Sequence, residues 1–140
     1  MLKSELKELK LVSVLNRLIR KYYTKYNQAK TEEKRKEFYG YFETYEFVQK
    51  LIVDEDDYLH RICDIYHIDL SLTKEEKILK IIDKSRKSIF KASKRPLHPR
   101  KDKFLLNEIQ SKLTAYEEIL FMVNNYHYLD TMCRLNHVRL

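Results

Sequence analysis

Tyr58-Leu59-His60-Arg61-Ile62-Cys63-Asp64-Ile65-Tyr66-His67-Ile68 returns, at an offset of 70, as Tyr128-Leu129-Asp130-Thr131-Met132-Cys133-Arg134-Leu135-Asn136-His137-Val138. Tyr-Leu, the cysteine and the histidine are kept, and Ile62, Ile65 and Ile68 each meet another apolar residue. The two cysteines are the only ones in the chain. Further upstream a one-residue gap moves the match to an offset of 71. There Glu37-Phe38, Phe42, Tyr45-Glu46, Val48 and Leu51-Ile52 meet Glu108-Ile109, Leu113, Tyr116-Glu117, Ile119 and Met122-Val123. Leu11/Ile82, Leu18/Ile89 and Ile19/Phe90 carry that offset, more weakly, into the start of each half. The chain reads as two related halves, residues 1–70 and 71–140.

Within each half the apolar residues step by three or four, the period of a helix with one buried face. Leu2, Leu6, Leu9, Val12, Leu15 and Leu18 trace the first stripe, and Phe38, Tyr41, Tyr45, Val48 and Ile52 the second. Ile78, Ile82 and Ile89 mark a third, and Leu106, Ile109, Leu113, Tyr116 and Leu120 a fourth. Thr31 is placed to cap the second helix, and Thr73-Lys74-Glu75-Glu76 is a capping box for the third. Pro99 is suited to open the fourth helix. Asp54 to Asp57 predicts a kink or break, with Asn124-Asn125 at the matching place. The expected helices cover about 3–29, 32–67, 73–94 and 100–136. Short connections make neighbours antiparallel. The expectation is an all-α single domain over 1–140: a four-helix up-down-up-down bundle of two antiparallel hairpins, made by internal duplication.

Composition supports helices. One glycine and two prolines in 140 residues are too few for the turns of an all-β fold. Apolar residues at 44% argue against general disorder. There is no apolar run long enough for a membrane span, so no membrane partner is expected. Lys3, Lys7 and Lys10 interrupt the first apolar stretch, which therefore lacks the core of a secretory signal. Two cysteines in such a chain read as reduced thiols, and a cytoplasmic location is expected.

The charge is +7 and unevenly spread. Residues 1–70 carry 13 basic and 13 acidic side chains, and residues 71–140 carry 15 and 8. One cluster holds Arg20, Lys21, Lys25, Lys34, Arg35 and Lys36 around the first hairpin tip. A second holds Lys91, Lys94, Arg95, Arg100, Lys101 and Lys103 around the other. In the expected bundle both tips share one end. Asp54, Glu55, Asp56, Asp57, Glu75 and Glu76 collect at the opposite end. Lysine and arginine neutralise phosphates, and Tyr22, Tyr23, Tyr26 and Tyr39 are candidates to stack on unpaired bases. The partner expected at this pole is nucleic acid or an acidic protein surface.

Cys63 with His67, and Cys133 with His137, are each four residues apart on one helical face. Together they are a candidate Cys2His2 zinc set, set against the plainer reading of cysteine as a small packing residue. No phosphate loop exists, because the sole glycine, Gly40, lies inside a helix, and no catalytic residue or cofactor is assigned. Over seven residues, Arg61 and His67 resemble the Arg-x(4–6)-His element of the HEPN ribonucleases, an α-helical family. Arg134 and His137 do not keep that spacing. The resemblance implies a ribonuclease as the remote enzyme option. The leading expectation is a small non-enzymatic regulator that binds nucleic acid, or a nucleic-acid-handling protein, through the basic pole. Size and composition would suit a phage or mobile-element protein. The alternative is a self-assembling module that pairs through exposed aromatic helix faces, as a homo-oligomer.

Overall fold

The computed structural model describes residues 3–94 and 104–139, all in helices and the short turns between them. The helices are α1 (Lys3–Gln28), α2 (Glu32–Val53), α3 (Tyr58–Tyr66), α4 (Lys74–Ser93), α5 (Leu105–Asn124) and α6 (Tyr126–Leu135). The caps act as the sequence predicts. Thr31 Oγ1 accepts the amide of Lys34 at 3.2 Å, and Thr73 Oγ1 accepts that of Glu76 at 3.2 Å. Residues 95–103, with Pro96 and Pro99, lie outside the described residues.

Six helices, rather than four, result from breaks at the two suspected places. In the first half Asp54, Asp56 and Asp57 take left-handed backbone angles, with φ of 58°, 55° and 56°. Aspartate tolerates that region because its short side chain bonds locally, as Asp54 Oδ1 does by accepting the Leu59 amide at 2.9 Å. In the second half Asn125 is extended, and its Oδ1 accepts the Tyr128 amide at 3.1 Å. After its break each half folds back. α3 packs on α4, and α6 packs on α1. Each short helix thus lies against the long first helix of the other half, so the two hairpins are not self-contained layers. Lys84 Nζ donates to the Tyr66 carbonyl at 2.6 Å, and Ser85 Oγ donates to Tyr66 Oη at 3.1 Å. On the other side Lys10 Nζ meets Asp130 at 2.5 Å and Tyr126 Oη at 2.9 Å.

α2 and α5 form the centre and run parallel. Glu43 pairs with Lys112 at 3.3 Å, and further along Ile52 and Val123 border one cavity. Their closest approach is at Gly40. A Cβ there would stand 2.6 Å from the Glu108 carbonyl oxygen and 2.8 Å from Ser111 Cβ. Gly40 and Ser111 are partners at the offset of 71, so the two copies of one position meet at the crossing.

Burial follows the repeat. Val48 and Ile119 are both fully buried, as are Leu51 and Met122, while Tyr45 and Tyr116 keep 3% and 4% of their surface. Cys63 and Cys133 are both buried, and so are Leu59 and Leu129. The ends match too. His67 and His137 each take a left-handed φ, 56° and 58°; the next amide returns to the cysteine carbonyl, Ile68 to Cys63 at 2.9 Å and Val138 to Cys133 at 2.8 Å. This is the Schellman arrangement, with histidine where glycine is usual. For α1 and α4 the burial pattern matches better at an offset of 67 than at 71, one helical turn less. At 67, Leu11, Val14, Leu15 and Leu18 meet Ile78, Ile81, Ile82 and Ser85, and all eight are buried. At 71, buried Leu15 would meet Arg86, which is only half-buried. The step from 67 to 71 falls between α4 (ending at Ser93) and α5 (starting at Leu105), a longer connection than that from Gln28 to Glu32, and helices slip past one another by whole turns without changing which face is buried.

Candidate functional site

The antiparallel turn between α1 and α2 and the start of α5 lie at one end of the molecule, because α2 and α5 run parallel from there. Arg20, Lys21 and Lys25 sit on the last turns of α1, with Lys34, Arg35 and Lys36 on the first turns of α2. Lys91 and Lys94 close α4. The structure thus brings these eight cations to one end. Arg95, Arg100, Lys101 and Lys103 lie outside the described residues. Lys34 reaches Glu37 at 3.1 Å and Arg35 reaches Glu32 at 3.7 Å, both within one turn of α2. Among the described residues, Arg20, Lys21, Lys25, Lys36, Lys91 and Lys94 have no acidic partner.

Aromatic rings are interleaved with these cations. Tyr22 stacks on Tyr41, with ring centres 4.5 Å apart, and Tyr26 meets Phe42 edge-on at 5.3 Å. Tyr23 and Tyr39 both pack against the same Phe42 ring. Lys21 and Lys25 hold their ammonium groups 5.4 Å and 5.5 Å from the Tyr22 ring centre, and Lys94 sits 4.8 Å from that of Phe90. The four stacking candidates are therefore not equivalent. Burial pushes the Tyr22 phenol up and Tyr41 covers one of its faces, so it is chiefly part of the hairpin's own packing. Tyr23, at 52% exposed, keeps a ring open to solvent. The Tyr39 phenol is pushed up to about 12, first by its hydrogen bond to Glu43 and then by burial.

The opposite end has a different character. There Lys7 meets Glu75 at 2.7 Å and Lys74 meets Glu8 at 3.3 Å. These are reciprocal: at the offset of 67, Lys7-Glu8 is Lys74-Glu75, and each lysine takes the other copy's glutamate. The Lys-Glu dipeptide is visible in both halves of the sequence, but the two align only at that offset. Next to it the hydrogen bonds from Lys10 to Asp130 and Tyr126 hold the Lys10 ammonium above its usual range.

The cysteines and histidines do not converge. Cys63 lies on the side of Lys77, and Cys133 on the side of Lys10. Among the described residues no group of three or more His, Cys, Asp or Glu is placed to hold a metal ion. The candidate zinc set is not supported by this geometry. It fails because the fold-back sends α3 and α6 to opposite flanks. Burial raises both thiols, as it does for cysteine used as a packing residue. Arg61 lies 5.6 Å from the Tyr58 ring centre and borders a groove with Asn16 and Gln49 that His67 does not reach. His67 instead ends α3. No helix is long and apolar enough to cross a membrane among the described residues. No family model matches this chain, and neither a curated protein nor a solved structure matches it.

Proposed function

We propose that this chain is a non-enzymatic helical regulator that binds nucleic acid, or an acidic surface of a nucleic-acid-handling protein, through its basic end. The observation that carries the reading is the set of six cations without acidic partners among the described residues there, while lysines at the other end are paired across helices. Like charges left together need a polyanion or solvent to offset their repulsion. The repeated burial and end geometry support a second element of the proposal, that an ancestral half was duplicated into an up-down-up-down core of α1, α2, α4 and α5. A cytoplasmic setting and a phage or mobile-element origin belong to the same proposal and rest on composition alone.

The test is binding of a fluorescent single-stranded oligonucleotide across a salt series. Affinity should fall linearly on a log–log plot, because each neutralised phosphate releases counterions. The triple variant Arg20→Glu, Lys25→Glu and Lys91→Glu should lose about tenfold or more in affinity with helicity unchanged. Unchanged binding in that variant would sink the reading. The second reading, self-assembly, is favoured by one observation: Ile65 and Leu135, partners in the repeat, are each 68% exposed. Exposed apolar residues kept at equivalent places suit two equivalent contacts. Ile65→Lys with Leu135→Lys should then abolish a dimer seen by sedimentation and leave nucleic-acid binding intact.

A further inference from the structure

We propose that the chain binds a small neutral apolar molecule in a cavity between α1, α2, α4 and α5, at the end opposite the basic cluster. The cavity has a volume of about 360 Å³. Its floor is Leu11, Val48, Ile52, Ile78 and Val123. Each of these keeps 7% or less of its surface, so the apolar floor lies beneath the rim side chains. The volume exceeds the ~150 Å³ of an apolar cavity that takes benzene, and falls in the ~300–1,000 Å³ range of small-molecule sites.

The rim sets the charge of the ligand. Lys7, Glu8, Lys74 and Glu75 border the mouth and are matched to one another, at 2.7 Å and 3.3 Å. Thr73 also borders it, and its hydroxyl is engaged with Glu76, donating at 2.9 Å and accepting the amide at 3.2 Å. Every polar side chain at the mouth thus has an internal partner, and the rim's charges sum to zero. Recognition of a phosphate, carboxylate or ammonium would have to break one of these contacts. A neutral molecule of about two aromatic rings would bury its surface on the floor and leave them intact. The cavity also lies where the two halves meet, so residues from both build it: Leu11 and Ile78 are partners at the offset of 67, and Ile52 and Val123 at 71.

This inference stands apart from the basic end and is tested apart from it. The full chain is titrated with N-phenyl-1-naphthylamine, a neutral dye that fluoresces in apolar surroundings, and with 8-anilinonaphthalene-1-sulfonate, an anionic relative. The neutral dye should bind saturably, one per chain, and more tightly than the anion. A roughly tenfold rise in salt should not weaken it, since no charge pairing is involved. Leu79→Trp, at a half-buried wall position, should lower the affinity about tenfold or more by filling the space, with helicity and melting temperature kept. Val123→Phe provides a second filling variant from the other half. The Arg20, Lys25 and Lys91 charge-reversal variant should bind the dye like the unaltered chain. Absence of saturable binding, tighter binding of the anion, or unaltered affinity in both filling variants would each overturn the proposal.

Discussion

At the end where α1 and α4 begin, Lys7, Lys10 and Lys74 each have a carboxylate from another helix. At the end where those helices finish, Arg20, Lys25, Lys91 and Lys94 have none among the described residues. Both ends are lysine-rich, yet one uses its charge to join helices and the other leaves it facing solvent. Charge count alone thus says little about what a charged surface does. The partner's helix decides: a pair between α1 and α4 or α6 fixes tertiary structure, whereas Lys34 with Glu37 only decorates one turn. Exposed pairs of the latter kind contribute about 0–1 kcal/mol.

Three measurements would break or sharpen the contrast. The largest effect is expected from Gly40→Ala, which acts on the approach of α2 to α5 that brings the two basic tips together. The new methyl would meet a backbone carbonyl at 2.6 Å, which cannot rotate away. Chemical denaturation should show a loss of about 1–3 kcal/mol, despite the better helix propensity of alanine. A neutral or stabilising result would mean that the helices part freely there, and the two tips would not be held as one surface.

Alkaline titration comes next. Burial raises Cys63 and Cys133 from 9.0, Tyr116 from 10.0 to about 12, and Tyr45 further still. For an acid held neutral in the fold, the unfolded chain ionises first, so stability falls as pH rises past the unfolded value. The loss should begin near pH 9 and grow through the tyrosine range, a tenfold difference in proton affinity between folded and unfolded chain being worth about 1.4 kcal/mol. Lys10 does not cause the onset and adds to the loss only at the top of the range. Its raised value keeps that contribution fully present below 10.5, and it is lost only above. Thermal melts from pH 7 to 11 would check this. A flat profile would mean that the thiols and phenols are not desolvated.

The smallest effect separates the two ends directly. Lys10→Met removes the partner of Asp130 and Tyr126 and should cost about 1 kcal/mol. Arg20→Met, at an exposed position without an acidic partner, should change stability by less than about 0.5 kcal/mol. Equal losses in the two melts would erase the distinction between a joining and a free cation.

Much of this fold is legible from the apolar period, and both breaks are visible as Asp54–Asp57 and Asn124-Asn125. The direction taken after each break is not. Nothing local in Tyr58–Tyr66 says that α3 lies on α4, because that choice is made by packing between distant surfaces. The same gap leaves the candidate zinc set open in the sequence, since that set needs α3 and α6 on one flank. The offset of α1 against α4 is misread from sequence because amphipathic helices match one another at any shift of a whole turn. Buried Leu18 opposite Ser85 hides the register in which burial matches, since the serine is polar but serves as a hydrogen-bonding partner for Tyr66. The basic end is legible as residues but not as geometry: the self-stacking of Tyr22 on Tyr41 depends on two helices meeting.

The placement of the sole glycine bears on how this sequence can vary. Five residues in the described chain adopt left-handed angles, and all are aspartate or histidine: Asp54, Asp56, Asp57, His67 and His137. The usual distribution of tolerance is therefore inverted. Turns, which in most chains are pinned by an irreplaceable glycine, accept any residue comfortable at positive φ, with glycine and asparagine foremost. The most constrained glycine position is in the middle of a helix, at a place that local propensity would give to almost anything else. A drifting lineage of this protein would be expected to change its loops freely while holding Gly40, so that the one fixed letter in its descendants would mark a helix crossing.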